Sequence, residues 1–411
     1  MPDRIILHCD CNSFFASVEA ALNPAYLGVP MAVCGSESDR HGIVLAKNEL
    51  AKGYGIKTAE TVYSAKKKCP GLVIAPPHHS EYVKFSRRVN EIYARYTDLI
   101  EPFGIDESWL DVTASQKLFG SGLEIAERIR REVREEIGIT VSIGVSFNKV
   151  FAKLGSDYKK PDAITVIDRS NYKSIAYPLP VGDMLFIGTK SEEQLAAMGI
   201  RTIGELASAS PAILNMRFGK MGEVMHRYAS GEDESPVNPE REDAKSIGNG
   251  FTFRHDLVSF DECRSGIDFL VEEIGSRLRR AGVRCSTVQL TIKDEYLRVV
   301  QRQRPISPPS DSSREIARVA YGILSDEWSE GKPIRMLTVT ATNLVDIDSI
   351  SEQLDLFSDE GETEDKKSSK RDKAVDIIRQ KYGKSSIVAG SIIDTDIGIY
   401  ENKHKKEKTN D

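Results

Sequence analysis

A chain of 411 residues with 40% apolar and 29% charged residues is too long for one ordinary core and reads as a soluble protein of several domains. Its formal net charge of −6 excludes a uniformly basic nucleic-acid binder and leaves that question to local patches. No apolar run nears membrane-span length, the start Met1-Pro2-Asp3-Arg4 lacks a signal-peptide pattern, and the six cysteines (Cys9, Cys11, Cys34, Cys69, Cys263, Cys285) show no CxxC pair or zinc spacing, so a cytoplasmic protein with reduced, mostly buried thiols is expected.

In chain order, Ile5 to Cys9 reads as a strand that ends on Asp10. The helical spacing of Phe14, Val18 and Ala21 predicts a helix from Phe14 to Ala21, with Ser13 as its cap. Asp10 then stands at a strand-to-helix junction, where the N–H groups of the first turn can cradle phosphate; a buried acid without a ligand is the plainer alternative. A turn-rich stretch follows (Asn23-Pro24, Gly28, Pro30), then strands at Met31–Cys34 and Gly42–Ala46. The segment Lys47 to Lys57 reads as a short helix stopped by its glycines, with Lys47 and Lys52 in solvent, where they neutralise a triphosphate or simply solvate a surface. Val73 to Ala75 is a strand ended by Pro76-Pro77, and Glu81 to Tyr96 a helix whose Tyr82, Phe85, Val89, Ile92, Tyr93 and Tyr96 form a core face. Strands Leu99–Ile105 and Ser108–Val112 flank Asp106-Glu107, which predicts a hairpin with a two-residue acidic turn. That turn lacks the favoured Gly or Asn, an inconsistency of the kind found at functional sites. Asp10, Asp106 and Glu107 thus converge at one sheet edge, and three carboxylates with no His or Cys side chain needed suit a hard cation, Mg²⁺ first.

Helices at Gly122–Gly138 and Phe147–Tyr158 and strands at Ile139–Ser146 and Ile164–Ile167 complete an α+β sheet. Residues 169 to 240 read as short helices, and Ser235-Pro236-Val237-Asn238-Pro239 as a linker. Beyond it come strands at Ser246–Phe253, Thr287–Lys293, Leu297–Arg304 and Met336–Leu344, with helices at Phe260–Ala281 and Ser313–Trp328. This stretch is rich in arginine, and the even spacing of Arg298, Arg302 and Arg304 puts three guanidinium groups on one face of a strand, for phosphate or for solvent. Ser358 to Lys373 holds no large apolar residue and predicts disorder. Ala374 to Tyr382 reads as a short amphipathic helix, followed by a charged tail.

Three stretches, DCNSFFASVE, GIDESWLDV and SIGVSFNKVFAKLGSDYKKPDAI, resemble in order and spacing the signatures of bacterial Y-family DNA polymerases of the DinB/UmuC type, and the likeness runs to about residue 350. The resemblance implies an α+β multidomain right hand: palm at 1–23 and 76–168, fingers at 24–75, a helical thumb at 169–235, a linker at 236–245, a little finger at 246–350 and a flexible tail at 351–411. It implies template-directed translesion synthesis from dNTPs on primer-template DNA, without proofreading. Asp10 and Asp106 would hold two Mg²⁺ ions with the Cys11 carbonyl, Glu107 would sit beside the primer 3′-hydroxyl, and metal binding would be weak until substrate phosphates join. Asn12, Ser13, Phe14 and Phe15 would line the nucleotide, with Phe15 as steric gate against a ribose 2′-hydroxyl, and Lys52 and Lys160 would face the triphosphate. The sequence departs from the pattern at Glu49, where the family usually carries a tyrosine, and Leu45 stands where a smaller residue often covers the nascent pair. The run from Leu185 to Lys190 resembles a helix-hairpin-helix turn, which implies DNA contact at Gly188 and Lys190, although Phe186 replaces the usual first glycine. Gln353-Leu354-Asp355-Leu356-Phe357 resembles the pentapeptide by which bacterial polymerases bind the sliding clamp. A monomer is expected. The competing readings are a catalytically inactive polymerase-like platform that binds DNA and clamp, which the intact acids oppose, and a DNA-independent nucleotidyl enzyme such as a cyclase, which the basic C-terminal stretch opposes.

Overall fold

The computed structural model describes residues 3–35, 42–240, 243–347, 364–383, 386–393 and 395–399, with the backbone alone described over 364–370. It divides into two compact units, with the boundary between Arg241 and Glu242.

Among the described residues the first unit contains eight strands: β1 (Ile6–Cys11), β2 (Met31–Cys34), β3 (Val44–Lys47), β4 (Val73–Ala75), β5 (Ile100–Pro102), β6 (Glu107–Asp111), β7 (Val141–Ser146) and β8 (Ile164–Ile167). Five of them make a sheet in the order β5-β6-β1-β7-β8, with β1 central and antiparallel to both neighbours. Every residue of β1 is buried because the sheet is covered on both faces. Leu7, Cys9 and Cys11 pack against the helices His79–Tyr93 and Gly122–Glu132. The alternate residues Ile6, His8 and Asp10 therefore face the other helix, Lys149–Tyr158. That helix lies directly on β7, where a Cβ on Gly144 would come within 1.9 Å of the Ala152 carbonyl oxygen. Only glycine permits so close an approach. Strands β3-β2-β4 form a separate small sheet, and the six cysteines are buried and outside any disulfide.

The hairpin that carries the acids differs from expectation. Strand β6 begins at Glu107, and the turn is Phe103-Gly104-Ile105-Asp106, closed by the Phe103 N–H donating to the Glu107 carbonyl at 3.0 Å. A two-residue turn would have placed a non-glycine pair in left-handed backbone; two more residues relieve that need. Ser13 is also not a side-chain cap. It takes left-handed backbone (φ 48°, ψ 42°) ahead of the helix Phe14–Leu22, and its hydroxyl donates instead to Glu49.

Helices Thr189–Ala197, Ile203–Ser208, Pro211–Phe218 and Lys220–Ala229 build a core of Leu195, Ile203, Leu206, Leu214 and Met225. The segment read as the start of a linker is pinned to the first unit. Val237 is buried beside Ile6 and Trp109, and the Asn238 N–H donates to Glu101 at 2.8 Å. One apolar side chain inside a proline-rich run suffices to anchor it.

The second unit has strands β9 (Ser246–Leu257), β10 (Val283–Asp294), β11 (Val299–Ser310) and β12 (Ile334–Asp346) in the order β11-β10-β12-β9, all antiparallel. Helices Phe260–Ala281 and Ser313–Glu327 cover one face, over Leu270, Ile274, Val288, Leu290, Ile323, Leu337 and Val339. Within the described residues, the stretch read as a flexible tail carries structure, and its part at Ala374–Tyr382 is helical as expected. A helix runs Glu364–Tyr382, Asp376 pairs with Arg279 at 2.6 Å, Arg379 pairs with Glu272 at 2.6 Å, and Ile392 and Ile397 are buried. A buried isoleucine contributes about 2 kcal/mol, and the ion pairs reach a helix distant in sequence, a partner that local composition does not reveal. The peptide 353–357 lies outside the described residues.

Candidate active site

The register of the central strands builds the site. Asp10 and Glu107 are direct partners across β1 and β6, and the Cys11 N–H donates to the Asp106 carbonyl at 2.9 Å, which ties the hairpin turn to the end of β1. The three expected acids therefore share one end of the sheet.

The helix Lys149–Tyr158 adds what the sequence reading missed. Lys153 Nζ lies 2.6 Å from Glu107 Oε2, 3.0 Å from Asp10 Oδ2 and 3.3 Å from Asp157 Oδ2. Lys160 Nζ lies 2.8 Å from both Asp10 and Asp157. The i, i+4 spacing of Lys153 and Asp157 on this helix, with the expected Lys160 just beyond its end, was the available signal for Lys153. His8 is the second omission. Fully buried, it stands edge-on to Trp109, and its Nε2 lies 3.4 Å from Glu107 Oε2.

Burial raises the carboxyls of Asp106 and Glu107 above the usual range. The charge of Asp10 adds to the effect at Asp106, while the Lys153 hydrogen bond opposes it at Glu107. Burial pulls the Lys153 ammonium down, yet Asp10, Asp157 and Glu107 together reverse this and hold it protonated. His8 is held well below its ordinary value by burial, then by Lys153 and Lys160. The donor set fits a divalent cation: His8, Asp10 and Glu107 offer ligand atoms within 4.8 Å of one another, with Asp106 at the adjoining turn, and the buried His8 Nε2 has no hydrogen-bond partner. A cation would offset the burial, and the lesser repulsion between acids, that raise both carboxyls.

Around this centre the expected nucleotide residues divide. Asn12 is committed to the protein: its amide donates to Ser142 at 2.8 Å and its carbonyl oxygen accepts from Thr140 and from the Asp162 N–H. Phe14 belongs to the core. Phe15 is half-buried and stacks flat on Tyr82, with centroids 4.1 Å apart and planes 11° apart. The Tyr82 hydroxyl donates to the buried Glu19 at 2.5 Å, so the Phe15 ring rests on an anchored support. Glu49, the departure from the family pattern, accepts from Lys52 at 2.5 Å and from Ser13 at 3.2 Å. Its charge is offset by the lysine beside it.

Among the expected DNA residues, Gly188 caps the helix Thr189–Ala197, which carries Lys190 in its first turn. Phe186, in the place of the missing glycine, takes φ 67° and is 53% exposed, so the turn keeps the glycine conformation without the glycine. The three arginines do not form the expected open row. Arg298 precedes β11 and lies over Tyr296, while Arg302 pairs with Glu327 at 3.1 Å and Arg304 with Asp326. Arg302 and Arg304 lie opposite the buried Leu290 and Val288, hence on the helix-covered side. The opposite face, which none of the described helices covers, carries Gln289, Thr291, Gln301, Gln303, Thr338, Thr340, Gly248 and Gly250.

Residues 9–157 match the impB/mucB/samB family model, and residues 244–356 match the model of that family's C-terminal domain. DNA polymerase IV of Acetivibrio thermocellus is 45% identical over 392 residues, 95% of this chain and 98% of the relative. DNA polymerase IV of Moorella thermoacetica is 40% identical over 387 residues, 94% of this chain and 95% of the relative. DNA polymerase IV 1 of Bacillus subtilis is 37% identical over 391 residues, 95% of this chain and 93% of the relative. Among solved structures, a Y-family DNA polymerase chimera matches with a TM-score of 0.72 at 24% identity, over 83% of this chain and 99% of its own. No helix of the described residues is long and apolar enough to cross a membrane.

Proposed function

This chain belongs to the impB/mucB/samB family of bacterial Y-family DNA polymerases, and from that premise we propose that it is a translesion DNA polymerase whose chemistry is carried by Asp10, Asp106 and Glu107. The observation that carries the reading is the register pairing of Asp10 with Glu107 beside the Asp106 turn, with two ammonium groups held over them. Two divalent ions, Mg²⁺ by the hardness of the oxygen donors, would be held by the three acids and the Cys11 carbonyl, and supply a lowered pKa for the primer 3′-hydroxyl and neutralisation of the triphosphate. Glu107 orients the hydroxyl. Lys160 and Lys52 meet phosphate oxygens, and the chain entering the helix Phe14–Leu22 offers its free N–H groups to the same anion. Phe15, braced by Tyr82, excludes a ribose 2′-hydroxyl.

In this reading residues 1–23 and 76–168 are the palm, 24–75 the fingers, 169–235 the thumb and 246–350 the little finger. The Gly188 turn and Lys190 hold a DNA phosphate, the Thr/Gln/Gly face of the second unit follows the duplex backbone, and Arg298 remains the arginine best able to reach a phosphate. Gln353 to Phe357 is the proposed clamp tether of a monomeric polymerase that works in the cytoplasm.

Extension of a primed template with Mg²⁺ and dNTPs tests the proposal. Wild type should extend, and Asp106→Ala should lose at least about 10³ in rate, since it removes a charge that acts on the transition state. Extension by neither, with DNA binding intact, would favour the inactive platform instead. Leu356→Ala with Phe357→Ala should abolish clamp capture and leave clamp-free extension unchanged.

A further inference from the structure

His8 is not among the acids of the polymerase reading, yet its ring is built into their centre. Its Nδ1 lies 2.8 Å from Ser156 Oγ, and that hydroxyl donates its one hydrogen to the Lys153 carbonyl at 2.7 Å. Ser156 can therefore only accept from His8, which fixes the hydrogen on Nδ1 and leaves Nε2 as a bare lone pair. Trp109 stands against the ring edge, and the indole is itself anchored by donating to the Lys149 carbonyl at 3.0 Å. The lone pair has no hydrogen-bond partner and faces Glu107 Oε2 at 3.4 Å. Two facing acceptors repel unless a cation lies between or beside them. In the free protein that cation is the Lys153 ammonium, 2.6 Å from Glu107 and 3.0 Å from Asp10.

The same atoms have the spacing of a coordination shell. A 3.4 Å separation is that of two ligands on a tetrahedral ion with bonds of about 2.1 Å, and the His8, Asp10 and Glu107 ligand atoms fall within 4.8 Å of one another. A ligating histidine normally donates its other ring N–H to a fixed acceptor, as His8 does to Ser156. One imidazole with two carboxylates suits a divalent transition ion better than Mg²⁺, which prefers oxygen alone.

We propose that His8 Nε2, with one oxygen each from Asp10 and Glu107, forms a mixed nitrogen–oxygen site for a divalent transition ion such as Mn²⁺, and that Lys153 covers this site when the ion is absent. The inference deepens the polymerase reading and rests on it for Asp10 and Glu107 as cation ligands. It adds a nitrogen ligand, and it requires that such an ion bind the free protein, without DNA or dNTP, by displacing the Lys153 ammonium.

The test uses the full chain with Mn²⁺ alone, followed by titration and by electron spin-echo detection of a directly coordinated nitrogen, with ¹⁵N-histidine protein to identify the ligand. Wild type should give the histidine nitrogen signal. Lys153→Met should bind Mn²⁺ about tenfold more tightly, since one competing charge is gone. His8→Gln should lose the signal and bind about tenfold more weakly. If His8→Gln lacks a native thermal transition, Ser156→Ala takes its place: the ring remains, its Nδ1 support is gone, and the nitrogen signal should weaken. Mn²⁺ bound without a nitrogen signal in wild type and Lys153→Met, no Mn²⁺ binding to the free protein, or no tightening in Lys153→Met would each overturn the proposal. Mg²⁺-dependent primer extension by the same preparation separates the two readings: extension without the nitrogen signal defeats this inference and leaves the polymerase standing.

Discussion

The two units handle charge in opposite ways. In the first, Asp10, Glu107, Asp157, Lys153 and Lys160 form one half-buried network at the end of a sheet, where burial raises the Glu107 carboxyl and the acids hold the Lys153 ammonium protonated. In the second, the interior ion pairs lie between helix Phe260–Ala281 and the C-terminal helix, and the uncovered sheet face is mostly hydroxyl, amide and glycine. A site that must stabilise developing charge needs preorganised ions in a low-dielectric setting. A surface that follows a duplex backbone needs smoothness and hydrogen bonds, and gains little from ions already paired with neighbouring acids.

That contrast can be broken most sharply at Asp10. Asp10→Asn should lower primer extension by about 10³ or more, with DNA affinity within about twofold of wild type, measured by single-turnover extension and by fluorescence anisotropy. Comparable losses in both would mean that the units do not divide the work. A smaller effect is expected at the gate. Phe15→Ala should raise relative use of ribonucleotides about a hundredfold and Tyr82→Leu about tenfold, because the second removes only the support beneath the ring. The ratio of kcat/KM for dNTP and rNTP reads both. On the second unit, Gln303→Glu adds a negative charge to the open face and should weaken DNA binding about threefold at low salt, fading as salt rises. Arg302→Ala should change the log–log salt slope by less than about one unit, because Glu327 already holds that guanidinium. A full unit at Arg302 would restore the arginine row that the sequence suggested.

The smallest expected effect concerns pH. The Asp106 carboxyl is raised in the folded protein, by burial first and Asp10 second. Between its unfolded and folded pKa the native state binds the extra proton, so this group's contribution to stability falls as pH rises through that window. In chelator, Asp106→Asn should raise Tm at neutral pH by on the order of 2 °C, and the gain should shrink as pH falls below the raised value. A gain independent of pH would place its origin in packing.

Much of this was legible in the chain itself. Asp10, Asp106 and Glu107 stand out because an apolar strand that ends in an acid must present it, and the pattern of strands and helices in the second unit follows its hydrophobic period closely. What the local pattern conveyed less well was partnership. Even spacing puts Arg302 and Arg304 on one side of a strand, but which side is covered, and that Asp326 and Glu327 wait there, depends on helix placement. The low apolar content of Ser358–Lys373 suggested disorder, yet a helix begins at Glu364, and its Asp376 and Arg379 pair with Arg279 and Glu272 of a helix distant in sequence.

The sequence by itself determined that Asp10, Asp106 and Glu107 come together and which segments become strands and helices, because those follow from side-chain type and period along the chain. Only the tertiary structure decided that Lys153 covers the acids, that His8 turns a bare nitrogen toward Glu107, and that Gly144 lets the helix come close enough for both. Each of these is a distance between residues well separated in the chain, set by how closely a helix packs on a sheet, and no local pattern encodes that distance.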